Sequence, residues 1–116
     1  MRRVAALCLA SALPAAAQAQ PVDADPAPAR QAQLVRMVRQ DCGSCHGMRL
    51  TGGLGPALTR EALSDRPLEA IEATIFHGRP GTPMPPWRAM LSQSDARWIA
   101  LQLAQGFPAE PTRERR

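Results

Sequence analysis

The feature that most constrains this chain is the run Cys-Gly-Ser-Cys-His at residues 42–46, in which two cysteines stand three positions apart and a histidine follows directly. A Cys-x-x-Cys-His pattern is the attachment signature of a c-type haem. Two thiols at this spacing can add across the two vinyl groups of one porphyrin edge, and the adjacent imidazole then reaches the iron. The pattern therefore predicts covalent attachment through Cys42 and Cys45 and proximal iron ligation by His46.

Three other chemistries use closely spaced cysteines, and the surrounding sequence favours none of them. A thioredoxin-like dithiol requires a strand-helix-strand setting, and no alternating apolar pattern lies near the motif. A structural zinc site requires a second pair of ligands, and the other histidine of the chain, His77, stands alone. A disulfide between Cys42 and Cys45 would leave His46 without a role. A redox dithiol remains the main alternative to haem attachment.

The first 19 residues are organised as an export signal. Two arginines precede an apolar run that ends in the small residues at 17–19. This run is shorter than the roughly 20 apolar residues of a membrane-spanning helix, and Pro14 interrupts it. We therefore expect cleavage near Ala19 and export to the periplasm without a stable membrane anchor.

The chain divides into four predicted segments: a signal peptide at 1–19, a proline-rich disordered leader at 20–29, one domain at 30–107 and a disordered tail at 108–116. Loss of the signal would lower the net charge from +4 to +2, with 12 arginines facing 10 acidic residues. This balance, without interleaved aromatic and basic residues, argues against nucleic-acid binding. A domain this small has a marginal side-chain core, to which a buried porphyrin would add apolar volume.

Apolar residues recur at helical spacing in three segments, and no segment alternates like a strand. These segments are 30–41, 67–77 and 93–105, and a short helical turn is predicted at 60–63. Thr59 and Ser92 stand before two of them as capping residues, and Arg36 and Arg39 are expected on a solvated helix face. Three principal helices joined by long loops predict an all-α domain built around one haem.

The loop at 78–88 carries one methionine, Met84, between prolines that stiffen the backbone. A thioether on a stiff loop suits a sixth iron ligand, and it would raise the reduction potential compared with a second histidine. Met90 is the main alternative ligand. His77 is a further candidate, although a lone histidine at a helix end is typical of a solvated position.

Other residues are candidate haem contacts. A carbonyl near Pro56 is expected to accept the proton of the non-ligating nitrogen of His46. The remaining candidates, leucines after the motif and the two tryptophans, are Leu50, Leu54, Leu58, Trp87 and Trp98. A tryptophan N–H can donate to a propionate or to the backbone, and core packing explains Trp98 equally well. No Ser-His-Asp set, carboxylate pair or phosphate loop predicts a catalytic centre.

Residues 31–107 together resemble a class I cytochrome c. The matching positions are the motif at 42–46, Gly55-Pro56 as the loop that supports the proximal histidine, and Met84-Pro85 at the distal ligand. Three segments, 41–47, 52–58 and 78–88, are similar to the NirC family of small periplasmic cytochromes associated with dissimilatory nitrite reductase. The resemblance implies the cytochrome c fold, in which the first and last helices cross beside the haem, and one haem c per chain.

The same resemblance implies a monomeric carrier of single electrons rather than an enzyme, with nitrite reductase in denitrification as the redox partner. It also implies a second role, in which the protein accepts electrons from, or binds, the enzyme that matures the second haem of nitrite reductase. A third possibility is an open-site haem enzyme or gas sensor, which requires an unoccupied sixth position on the iron.

Overall fold

The computed structural model describes residues 24–108. The predicted signal peptide, residues 20–23 of the predicted leader and residues 109–116 of the predicted tail lie outside the described residues. Within 24–108 the chain is helical and forms no strand, which confirms the predicted all-α class. Each helix in this range is too short or too polar to cross a membrane.

Between residues 24 and 108, five α-helices and one π-helical turn follow one another. They are α1 (Pro28–Met37), the π turn (Val38–Cys42), α2 (Gly43–His46), α3 (Arg60–Leu63), α4 (Leu68–His77) and α5 (Gln93–Gln105). Pro67 precedes α4 instead of opening it, because its ψ of 141° is extended. Its carbonyl still accepts hydrogen bonds from the first turn of that helix, from the amides of Ala70 and Ile71.

The first helix begins earlier than predicted, at Pro28 instead of Arg30. A proline suits this position, because its φ is already helical and its missing N–H would have no partner in the first turn. Just before it, Pro26 is buried, and its carbonyl accepts a hydrogen bond of 2.9 Å from the Gln31 side chain. The first helix therefore starts two residues before the predicted helical segment.

One apolar core unites α1, α4 and α5 with the loops. Its largest fully buried side chains are Leu34, Val38 and Ile99. The other buried apolar residues are Val35, Leu50, Leu63, Ile71, Ile75, Leu91, Ala96, Trp98, Ala100 and Leu103. Burying side chains of this size stabilises a fold by roughly 1.5–3 kcal/mol each. The buried apolar residues of α5 are at positions 96, 98, 99, 100 and 103, and four of them, 96, 99, 100 and 103, recur at helical spacing.

Two arginines of the first helical segment contact the C-terminal part of the domain, Arg30 on α5 itself and Arg39 on the chain that follows α5. Arg30 donates from Nε and Nη2 to Asp95 Oδ2, at 3.2 and 2.8 Å. Arg39 donates to the carbonyls of Phe107 and Pro108, at 3.2 and 2.7 Å, and its guanidinium lies 5.3 Å from the Phe107 ring centre. The prediction of a solvated Arg39 is therefore wrong, because the chain after α5 returns to cover it, whereas Arg36 is exposed.

The start of α5 is fixed by the capping box that the sequence predicted. The Asp95 amide donates to Ser92 Oγ and the Ser92 amide donates to Asp95 Oδ2, each at 3.1 Å. Burial alone would raise the pKa of Asp95, but hydrogen bonds from Arg30 and Ser92 and the charge of Arg30 outweigh it and hold this pKa below its ordinary value. The carboxylate thus caps α5 and joins it to α1.

Candidate haem-binding site

The haem motif spans two kinds of helix. Cys42 is the last residue of the π turn, whereas Cys45 and His46 belong to α2. A π turn closes its hydrogen bond one residue later than an α turn, so the side chains after it are offset by about 100° from a continuous α-helix. The sequence predicted one helical segment at 30–41, and its spacing did not indicate the widened turn that begins at Val38.

The two motif cysteines form no disulfide with each other and lie in different surroundings. Cys42 is half-buried and packs against the core, whereas Cys45 is exposed. Burial, and to a lesser degree the neighbouring charge of Asp41, raises the pKa of Cys42 to about 11. Cys42 is therefore poorly suited to be the attacking thiol of a redox dithiol, which requires a lowered pKa.

The proximal candidate, His46, is oriented by a backbone carbonyl. Its Nδ1 lies 2.7 Å from the carbonyl oxygen of Pro56, the residue that the sequence predicted for this contact. A carbonyl only accepts, so Nδ1 carries the proton and Nε2 keeps its lone pair for a metal. Next to this contact, a Cβ on Gly55 would lie 2.7 Å from both Cε1 and Nδ1 of the imidazole. Only a residue without a side chain allows the backbone this close.

The loop at 47–58, here called the proximal loop, folds back onto the end of α2. The Gly55 amide donates to the Cys45 carbonyl at 2.7 Å, and the Gly52 amide donates to the His46 carbonyl at 2.8 Å. These carbonyls belong to the last turn of a helix, where no partner exists within the helix itself. Two adjacent residues of the motif are therefore held by the loop that follows them.

The three leucines of the proximal loop differ in environment. Leu50 is 2 % exposed and has a φ of +60°, which is uncommon for a residue other than glycine. Leu58 is half-buried against the core, and its amide donates to the Leu50 carbonyl at 2.8 Å. Leu54 is 94 % exposed. Leu50 and Leu58 thus pack within the chain, whereas Leu54 extends into solvent.

The loop at 78–88, here called the distal loop, is held to the end of α4. The Trp87 amide donates to the Ile75 carbonyl and the Arg88 amide to the Phe76 carbonyl, both at 3.2 Å. Within the loop, the Arg79 amide donates to the Met84 carbonyl at 3.1 Å. The loop is thereby closed on itself and bonded to carbonyls that the helix leaves without partners.

Met84 and its rivals lie in different environments. Met84 is half-buried, whereas Met48 is 65 % and Met90 54 % exposed. Met37 lies partly buried against the core. His77 is exposed, and its ring meets the Phe76 ring edge-on at 5.0 Å. Among the loop methionines, Met84 therefore combines partial burial with a fixed backbone.

The two tryptophans belong to different parts of the structure. Trp87 is half-buried at the end of the distal loop, and Trp98 is buried on α5 as part of the apolar core. The burial of Trp98 agrees with the packing role that the sequence left open beside a haem contact.

The residues of the motif and the two loops fit a c-type haem. They offer two unpaired thiols at the required spacing, an imidazole whose Nε2 lone pair is free, and a half-buried thioether. These groups would attach a haem through two thioethers and would offer one nitrogen and one sulfur to its iron. In the part of the chain that the structure describes, no group of three or more His, Cys, Asp or Glu side chains is placed to hold a metal ion, so the zinc alternative gains no support.

Comparison with known proteins agrees with this donor set. Residues 29–101 match the protein family described as "Cytochrome C oxidase, cbb3-type, subunit III". Cytochrome c55X of Pseudomonas aeruginosa is 58 % identical over 84 residues, which cover 72 % of this chain and 71 % of that protein.

Two solved structures are also similar. The c-type cytochrome NirC has 59 % identity and a TM-score of 0.68, with 69 % of this chain and 94 % of NirC covered. Dihydro-heme d1 dehydrogenase NirN, solved in complex with DHE, has 36 % identity and a TM-score of 0.58 over 66 % of this chain and 16 % of NirN. By sequence and fold, this chain belongs to the class I c-type cytochromes, together with NirC and cytochrome c55X, and its cofactor is one covalently bound haem c.

Proposed function

We propose that this protein is a periplasmic electron carrier in which Cys42 and Cys45 attach the haem and His46 and Met84 ligate its iron. The haem supplies one-electron oxidation and reduction at the iron. The chain supplies an imidazole whose proton is held on Nδ1 by Pro56 and a thioether on a loop bonded to α4. Two ligands on fixed backbone keep structural change small when the iron changes oxidation state, and this favours electron transfer.

The observation that carries the proposal is the position of Met84. Its side chain is half-buried, and its backbone is closed against Arg79 in a loop that is bonded to α4. Met90 lies beyond that loop and is 54 % exposed. A sixth ligand supplied in this way distinguishes an electron carrier from a haem enzyme or sensor with an open iron position.

The ligand assignment is tested with Met84→Ala and Met90→Ala, both purified with covalent haem. Ferric Met84→Ala should lose the weak sulfur-to-iron charge-transfer band, and its reduction potential should fall because the sulfur favours ferrous iron. Met90→Ala should retain both properties. Loss of the band in Met90→Ala alone would transfer the ligand role to Met90.

The sixth position is tested independently with carbon monoxide. Ferrous wild-type protein should not bind the gas at concentrations that saturate Met84→Ala, because the thioether occupies the position. Rapid binding to the unmodified protein would support an open-site enzyme or sensor instead.

We propose nitrite reductase as the electron acceptor, on the basis of the likeness to NirC and the NirC-like segments at 41–47, 52–58 and 78–88. Stopped-flow mixing of reduced cytochrome with oxidised nitrite reductase should show oxidation of the cytochrome that accelerates with reductase concentration. A rate independent of the reductase would contradict this assignment.

A second candidate function is electron acceptance during maturation of the second haem of nitrite reductase. The similarity to a segment of NirN, whose name describes a dihydro-haem d1 dehydrogenase, favours it. Oxidised cytochrome should then be reduced when a haem d1 dehydrogenase acts on its dihydro substrate. Reduction that is as fast without that substrate would exclude this role.

A further inference from the structure

The distal loop touches α4 at a residue that has no side chain. Gly78 directly follows α4 and has φ +69° and ψ −173°, a backbone region that is essentially restricted to glycine. A Cβ at this position would lie 2.7 Å from the Pro85 carbonyl carbon and the Pro86 nitrogen, and 2.8 Å from the Met84 oxygen. The end of α4 therefore lies against the backbone that carries and follows Met84.

The atoms that this Cβ would meet cannot move aside like the tip of a side chain. They belong to the backbone of the distal loop. Two of them are the carbonyl carbon of Pro85 and the nitrogen of Pro86, and the rings of these prolines restrict φ. The Met84 oxygen also accepts the hydrogen bond from the Arg79 amide at 3.1 Å. A displacement at Gly78 would therefore move the Met84 backbone as well as the prolines.

We propose that Gly78 is a positioning residue for the sulfur of Met84, because its close contact sets how near the distal loop lies to α4. This inference rests on the proposed ligation of the iron by Met84. A side chain at residue 78 would push the loop away from α4 and weaken the bond between sulfur and iron, while the covalent attachment through Cys42 and Cys45 stays intact.

The same loop contains a matched control. Gly81 also has a positive φ, +77°, but a Cβ built on it meets nothing within 4 Å. Gly81→Ala therefore imposes an unfavourable backbone conformation on the distal loop without creating a contact. Gly78→Ala and Gly81→Ala thus share a positive φ, and only Gly78→Ala also meets the Met84–Pro86 backbone.

The test is displacement of the sulfur ligand from ferric holoprotein by imidazole, followed through the loss of the charge-transfer band. Gly78→Ala should require at least tenfold less imidazole than wild type, or should lack the band from the start. Gly81→Ala should stay within twofold of wild type. Mass spectrometry and circular dichroism establish that both variants carry haem and are helical. Equal midpoints for the two variants would overturn the proposal.

Thr82→Val provides a second variant if Gly78→Ala accumulates too poorly to titrate. The Thr82 hydroxyl donates to the Arg79 carbonyl at 2.7 Å and accepts from the Met84 amide at 3.3 Å, so it helps to close the segment that contacts Gly78. Loss of the hydroxyl should lower the imidazole midpoint, the concentration at which half of the sulfur ligand is displaced, about threefold. An unchanged midpoint would overturn the proposal in that case.

Met84→Ala separates the two proposals. If this variant keeps the charge-transfer band, the assignment of Met84 as ligand fails, and the inference about Gly78 fails with it. If Met84→Ala loses the band while Gly78→Ala behaves like Gly81→Ala, the ligand assignment stands and only the role of Gly78 is wrong.

Discussion

The proximal loop and the distal loop both rely on a glycine in a very close contact, but the two glycines touch different things. A Cβ on Gly55 would meet the imidazole of His46 itself, whereas a Cβ on Gly78 would meet the backbone of residues 84–86. The proximal loop also contributes a core residue, Leu50, which is 2 % exposed. Of the two proposed ligands, His46 is thus held at its side chain, whereas Met84 is held through the backbone that carries it.

This difference predicts how mutations in each loop affect the stability of the domain. The proximal loop belongs to the folded core, so its disruption should destabilise the whole domain together with the ligand. The distal loop is held by backbone hydrogen bonds to α4 and by the half-buried Trp87, and it contributes no fully buried residue to the core. Its disruption should therefore release the sulfur at a smaller cost to the fold. The predictions below test this contrast through the free energy of unfolding of the holoprotein.

The largest effect is expected for Leu50→Ala. Removing a buried leucine side chain costs about 2–5 kcal/mol, and alanine at this position keeps the unfavourable φ of +60°. Denaturant unfolding of the holoprotein measures this loss. Leu54→Ala in the same loop is the control, and it should change stability by less than about 0.5 kcal/mol because its side chain is exposed. Similar losses for both would show that the proximal loop is not part of the core.

Gly55→Ala should have the next largest effect and lower the free energy of unfolding by about 1–3 kcal/mol, because the added methyl group must displace either the imidazole or the loop. Its imidazole midpoint should stay near that of wild type, because the distal loop is unchanged. Gly78→Ala should show the opposite pattern, with a larger shift in the imidazole midpoint than in stability. If both variants change both properties equally, the two loops do not act separately.

Asp95→Asn should cost about 1 kcal/mol at pH 7, since its partner Arg30 is partly exposed and the ion pair is screened by solvent. The pKa of Asp95 is lowered in the folded protein, so its contribution is complete above the ordinary aspartate pKa of about 3.9 and is lost as pH falls through the lowered value. Unfolding measured at pH 7 and in strong acid should show the gap to wild type closing at low pH. A gap that widens in acid would contradict the direction of the shift.

Asp95 lies at the start of α5 and belongs to neither loop. Asp95→Asn is therefore also a control for the effect of general destabilisation on the sulfur ligand. It should leave the charge-transfer band and the imidazole midpoint unchanged. A shift in either would mean that general loss of stability, and not local contact, controls the ligand.

The smallest effect is expected for Thr59→Ala, at about 0.5–1 kcal/mol. The Thr59 hydroxyl accepts a hydrogen bond of 3.3 Å from the Ala62 amide at the start of α3, directly after the proximal loop. Thermal unfolding measures the change, and Thr59→Ser should restore most of it because the hydroxyl is kept. Equal melting temperatures for wild type and both variants would show that the cap is dispensable.

Much of this architecture follows from local sequence. The helices at 60–63, 68–77 and 93–105, the caps at Thr59 and Ser92 and the end of α5 at Gly106 depend on spacing and on contacts between near neighbours. The contact between Pro56 and His46 was also predictable, because a ligating histidine needs an acceptor for its other nitrogen. Features that depend on residues close in the chain could therefore be predicted from the sequence.

Features that depend on contacts between residues far apart in the sequence could not be predicted from it. Arg39 is covered by Phe107 and Pro108, which lie 68 and 69 positions further along the chain. Leu50 adopts a positive φ, and its side chain is buried in the core. No local sequence pattern indicates either feature. The sequence shows that Gly55 and Gly78 are glycines, but only the structure shows which atoms approach them.

The hydrogen bonds between the distal loop and α4 have a further consequence for how the molecule opens. Three consecutive carbonyls of α4, at residues 74, 75 and 76, accept from the amides of Gly78, Trp87 and Arg88. Fraying of that last helical turn would break all three bonds in one event, so the turn and the loop form a single cooperative unit of local unfolding. The three amide protons should show a common protection factor in deuterium exchange, and warming should detach the sulfur before the domain melts.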